Sequence, residues 1–97
     1  MGDSEDGGNM HVFVHVHDKI FSISAGDGSQ RVKWLGHVAI ARWDEDHNQG
    51  WRRLGIPTAI EMIEGGFEID MAAIIKNVIQ NNEHIKVLTS LDPSETR

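Results

Sequence analysis

The chain has no cysteine, no long apolar run and few basic residues. The missing cysteine excludes a disulfide scaffold, a thiolate zinc site and a cysteine nucleophile. No apolar stretch approaches the ~18 residues that a membrane-spanning helix needs. Nine Lys and Arg stand against fifteen Asp and Glu, a formal net charge of −6 with pI about 5.4. That balance excludes a general nucleic-acid binder, which needs a basic face, and disfavours docking on anionic membrane. The opening MGDSEDGGNM is acidic rather than cationic-then-apolar, so it does not read as a secretory signal. A cytoplasmic protein is expected.

What remains is an ordinary globular composition, 39% hydrophobic and 25% charged over 97 residues, enough for one domain. Residues 1–9 carry Gly and acids with no large apolar side chain after Met1, and are expected to be a flexible lead. Residues 93–97 read as a flexible tail. The folded domain is expected over 10–92, where eight Lys and Arg face eleven acids, a milder balance of −3.

Within it, His11 to His17 alternates, with Val12, Val14 and Val16 on one face and His11, Phe13, His15 and His17 on the other, a strand pattern. Asp18-Lys19 reads as a turn and Ile20 to Ala25 as the partner strand. Asp27 or Ser29 can cap a helix running to about Trp43, whose stripe is Val32, Leu35, Ala39 and Trp43. Gly36 inside it costs ~1 kcal/mol relative to Ala and suits close approach of another element. Thr58 to Glu64 reads as a third strand, Gly65-Gly66 as a turn, and Phe67 to Ile69 as its partner. Asp70 is expected to cap a second helix from Met71 to about Asn81. Ile85 to Leu91 is apolar on both faces, which suits a central strand. The order predicts an α+β, ubiquitin-like β-grasp domain: a single mixed sheet with one long and one shorter helix. In that plan the last strand runs parallel to the first in the middle of the sheet.

Four segments, in order, resemble the N-terminal domain family shared by histidine ammonia-lyase and the partitioning-defective cell-polarity scaffold. They are the hairpin of His11 to Asp27 ending in Gly26-Asp27-Gly28; Val32-Lys33-Trp34-Leu35-Gly36 followed by Ala39 and Ala41-Arg42-Trp43; Gly65 to Asp70; and Asn81-Asn82-Glu83 with the strand Ile85 to Leu91. Asp92-Pro93 is similar to the scaffold side. The resemblance implies a PB1/DIX-like interaction domain. In the scaffold branch it self-associates front to back, a basic surface of one copy meeting an acidic surface of the next. In the lyase branch it is an accessory segment before the catalytic body. The lyase's Ala-Ser-Gly cofactor motif is absent from this chain, and after Asp70, where the scaffold continues with acids, it has Ala72-Ala73. An Ala-Ser-Gly body in the parent reading frame would mark the lyase branch, and PDZ-type repeats the scaffold.

Charge and aromatics give the candidate site. Basic residues fall at Lys19, Arg31, Lys33, Arg52 and Arg53, and acids at Glu61, Glu64, Glu68 and Asp70, besides the run Asp44-Glu45-Asp46. Separated patches of opposite sign suit heterologous association. Trp51 beside Arg52 and Arg53 combines the residue types enriched at binding hot spots. Trp34 and Trp43 read as core. No nucleophile stands in a catalytic context, so a non-enzymatic module without cofactor is expected, with protein partners that include a second copy of itself. Gly26-Asp27-Gly28 lacks the Lys-Ser/Thr of a phosphate loop and reads as a strand-to-helix corner. A separate reading concerns His11, His15 and His17, which alternate on one strand face with Cβ atoms about 7 Å apart at i and i+2. They suit metal binding, or pH sensing near the ordinary imidazole pKa of ~6.5, or simply a solvated strand face.

Overall fold

The computed structural model describes residues 9–92; residues 1–8 of the lead expected at 1–9, and the tail at 93–97, lie outside the described residues. Five strands form one mixed sheet: β1 (His11–Val16), β2 (Lys19–Ser24), β3 (Pro57–Met62), β4 (Glu68–Ile69) and β5 (His84–Thr89). Three helices accompany it: α1 (Val32–Trp43), α2 (Trp51–Leu54) and α3 (Ile75–Val78). The strand order is β2-β1-β5-β3-β4, with β5 parallel to β1 and every other pairing antiparallel. The fold is therefore α+β with a single mixed sheet, and its last strand sits at the centre, beside and parallel to the first. None of the helices among the described residues is long and apolar enough to cross a membrane.

The valine face of β1 points inward: Val12, Val14 and Val16 are each 0% exposed. They join Ile23, Ile60, Ile85 and Val87 from the sheet and Val32, Leu35, Ala39 and Ile40 from α1 in one core. Trp34 and Trp43 are partly buried against it, in line with their core reading. Gly36 lies where α1 presses on β3, for a Cβ there would meet the Pro57 ring at 2.9 Å and Ile60 Cδ1 at 3.3 Å. Gly36→Ala should therefore destabilise despite alanine's ~1 kcal/mol advantage in a helix, because the stiff proline ring cannot yield and overpacking costs about 1–3 kcal/mol. A thermal melt of that variant should shift down, and a rise would show that α1 has room to move.

Several local expectations are corrected. The first hairpin turns on His17-Asp18, one residue earlier than read, with His17 in the left-handed region at φ 53. Neither Asp27 nor Ser29 caps α1. The Asp27 Oδ1 atom instead accepts the Ser29 N–H at 3.0 Å, and Arg31 is the N-cap residue, with no side-chain cap. The N–H groups at the start of α1, which have no partner within the helix, are satisfied by main chain from far away: Val32 donates to the Ala73 carbonyl and Lys33 to the Met71 carbonyl, both at 2.9 Å. This capping explains why the second helix is not the expected run from Met71 to Asn81. Residues 71–73 instead make a turn at the start of α1, with Ala73 donating to the Asp70 carbonyl at 3.1 Å; Ile74 is extended and bridges Arg31, and helix is left only at Ile75–Val78. Ile75 donates back to the Gln30 carbonyl at 2.9 Å and Lys76 to that of Gly28 at 3.0 Å. Ile75 at 0% and Ile79 at 2% exposure still reach the core, but Val78, which the apolar spacing set on the inward stripe, is 42% exposed because the helix is too short to hold that stripe on one face. Asn81 and Asn82 do not close a helix; the Asn81 Oδ1 accepts the His11 N–H at 2.7 Å, tying this loop to the start of β1. The unread stretch after Gly50 holds α2, whose Leu54 is buried.

Candidate functional site

The sequence-derived basic residues fall into two groups. The first surrounds Trp43 at the C-terminal end of α1. Lys19, at the start of β2, donates to the Trp43 carbonyl at 3.1 Å and to Glu45 Oε2 at 3.0 Å, with its ammonium 5.2 Å from the Trp43 ring centroid. The Arg53 guanidinium lies 5.7 Å from the same ring, and that of Arg52 lies 5.5 Å from the ring of Trp51. These bases line a concavity with Asp44, Glu45, Asp46 and His47. The exposed Lys19–Glu45 pair is worth about 0–1 kcal/mol and partly offsets the local positive charge. Trp51 is 53% exposed on the short helix α2, a large apolar surface facing water beside two arginines.

Arg31 and Lys33 form the second group. They face Glu68 and Asp70 across a groove that also includes Ile69, Met71 and Ala72. Arg31 Nη1 donates to the Ala72 carbonyl, and Asp70 Oδ1 accepts the Ala72 N–H at 2.9 Å. Both residues are thus committed to the loop that caps α1, and opposite charges are mixed here as they are around Trp43.

Glu61 and Glu68 are direct cross-strand partners on β3 and β4, and Glu61 also pairs with Lys86 of β5. Glu64 is exposed just beyond β3. Like charges directly opposite each other on an exposed sheet face cost stability. The sheet order puts Lys19 and Glu68 on opposite edges, β2 and β4, four strand spacings of about 4.8 Å apart.

The histidines arrange themselves differently from the pattern in the sequence. His17 has moved into the hairpin turn, where its Nε2 lies 2.8 Å from Thr89 Oγ1. His11 is exposed at the start of β1. His15 pairs instead with His84 of β5, Nε2 to Nδ1 at 2.8 Å, while the His84 ring stacks on Phe13 at 4.7 Å and 15°. His84 was missed as a partner. The expected parallel β1/β5 pairing was a partial signal; the register, which sets His84 level with Phe13, was not readable from it. Among the described residues no three of His, Asp or Glu are grouped to hold a metal ion.

Partial burial, and then the proximity of His84, hold the His15 pKa below the ordinary histidine value. The unfolded chain therefore binds this proton more readily, so the contribution of His15 to stability is present above pH ~6.5 and declines as pH falls below it. Melting temperature should drop between pH 7.5 and 5.5, less steeply in His15→Gln. Parallel slopes for the two proteins would remove His15 as the cause. The corner Gly26-Asp27-Gly28 offers no phosphate cradle: Gly28 donates its N–H to the Ala25 carbonyl at 2.9 Å, and a Cβ there would strike Met10 Sδ at 2.5 Å.

No protein-family model and no curated protein matches the chain.

Proposed function

We propose that the chain is a ubiquitin-like β-grasp module, without catalytic activity of its own, that binds protein through surfaces of opposite charge, a second copy docking front to back. The separation of the Lys19, Arg52 and Arg53 cluster on the β2 side from the Glu61/Glu68 pair on the β4 side carries this reading. Two unlike surfaces on different edges cannot satisfy each other within one copy, and heterologous contacts between them propagate as chains. The strand order and the central parallel β1/β5 pair support the β-grasp plan. The exposed Trp51 and the arginine over it supply an apolar anchor next to the charge. Arg31 and Asp70 contribute less, because both are tied to the backbone of Ala72.

Sedimentation velocity over a range of concentrations tests the reading. Association should be strong in low salt and fall steeply toward 1 M, since exposed charges are screened within about 3 Å there. A strict monomer at high concentration and low salt overturns it.

The His15–His84 hydrogen bond favours a second reading of the opposite sheet face, pH sensing. One ring nitrogen must accept, so the bond is lost when both rings are charged.

A further inference from the structure

The two edges of the sheet are guarded unequally. The β4 edge is two residues long and flanked by Glu64, Glu68 and Asp70, devices that discourage strand addition. The β2 edge is six residues long, and from Ile20 to Ala25 it contains no charge and no proline. Phe13 donates its N–H toward β5, at the Glu83 carbonyl, so Val12, Val14 and Val16 turn their peptide groups toward β2. The register then pairs them with Ile23, Phe21 and Lys19. The N–H and C=O groups of Ile20, Ser22 and Ser24 point the other way, off the edge, and have no backbone partner among the described residues. Lys19 does not guard them. Its peptide group faces β1, and its amine is held by Glu45 and the Trp43 carbonyl.

We infer that β2 pairs with β2 of a second copy, antiparallel, about a two-fold axis at Ser22. In that register Ile20 meets Ser24 of the other copy, Ser22 meets its own counterpart, and Ser24 meets Ile20, each pair exchanging both backbone bonds. On the solvent face Ile20, 58% exposed in the single copy, gains cover from the neighbouring strand. On the helix side the half-buried Phe21 falls next to Ile23 of the other copy. Lys19 falls opposite Ala25, so no charge meets a like charge. The strand is thus its own complement. An unrelated extended peptide would depend on side-chain pockets beside the edge for its specificity. The described surface concavities include Lys19 but none of Ile20 to Ser24. A single strand pair buries less than the ~1,200–2,000 Å² of a stable interface, so the dimer is weak and concentration-dependent.

The inference stands apart from charge-driven docking, which salt abolishes, because backbone pairing survives high salt. The test uses the full chain in 1 M salt, from about 20 μM to about 1 mM, by sedimentation and amide hydrogen exchange. Dimer should accumulate with concentration, and exchange at Ile20, Ser22 and Ser24 should slow several-fold while other exposed amides stay unchanged. Ser22→Pro removes an N–H that bonds nothing within the copy, so that variant should keep its fold and remain monomeric. Ser22→Lys, which places like charges at the two-fold axis, should be monomeric as well and covers the case in which the proline variant does not fold. A monomeric parent at 1 mM overturns the inference, as does undiminished association in the lysine variant. Protection that appears at other amides instead overturns it too.

Discussion

Alanine at position 50 should be the most damaging small substitution in the chain, costing about 3 kcal/mol and lowering the melting temperature by about 10–20 °C. Gly50 has an ordinary helical φ of −57, so backbone freedom is not the reason for glycine here. The reason is contact. A Cβ on Gly50 would lie 1.9 Å from the Ile40 carbonyl oxygen and 3.1 Å from the Asp44 nitrogen. Both are main-chain atoms of the last turn of α1, which cannot rotate aside as a side chain could. Gly50 also donates to the Ala41 carbonyl at 3.2 Å and accepts from Arg53 and Leu54 at 2.9 Å, so it joins α1 to α2. Relief of the clash requires α2 to move off α1, drawing the fully buried Leu54 out of the core and displacing Trp51 and Arg52. Gly66→Ala is the control. Its φ is +70, yet a Cβ there meets nothing within 4 Å, so it should cost only the ~1–2 kcal/mol of left-handed strain. A Gly50→Ala melt within 3 °C of the parent would show that α1 and α2 are not held as described.

The same comparison shows which signals the sequence carried. The period-two valines of β1 specified an inward face, because burial on one face leaves a local pattern; β5 is central as expected, yet it too is buried on one face only, Ile85 and Val87 inward and Lys86 exposed. The stripe of Val32, Leu35 and Ala39 marked α1 for the same reason. Gly50 and residues 71–74 left no such mark. Their conformation is set by atoms remote in sequence: the Ile40 carbonyl for Gly50, and the N–H groups of Val32 and Lys33 for the segment that the apolar spacing presented as helix. Helix periodicity in Met71, Ile74, Ile75 and Val78 was real as hydrophobicity, but tertiary capping claimed its first turn. The candidate site divides in the same way. The adjacency of Trp51 to two arginines could be read locally, but its 53% exposure could not. The split of five bases into two groups could not, because Lys19 meets Arg52 and Arg53 only through the packing of α1 and α2. His84 lay between these cases, for the expected strand order set the last strand beside β1, but that strand was read from Ile85 and its register was not fixed.

Reversing Glu68 should separate binding from stability. In the native chain Glu68 faces Glu61, a like-charge pair that costs roughly 0.2–1 kcal/mol. Glu68→Lys turns the row across the sheet into alternating signs, Lys at 68, Glu61 and then Lys86, so its melting temperature should be equal to or above the parent's. Its low-salt self-association should nevertheless weaken about tenfold or more, because a lysine then meets the basic surface of the next copy. Arg52→Glu should lose its salt-dependent association for the mirror-image reason, with its acidic side intact. Front-to-back geometry makes a further demand: each variant keeps one working surface. The Glu68→Lys chain retains Lys19, Arg52 and Arg53, while the Arg52→Glu chain retains Glu61 and Glu68. At concentrations below those where β2 pairing accumulates, an equimolar mixture of the two should form a closed one-to-one complex that neither forms alone and that extends no further. Sedimentation of the separate and mixed variants in low salt checks this at once. A mixture that stays monomeric, or a Glu68→Lys protein that associates like the parent, removes the acidic β4 edge from the interface.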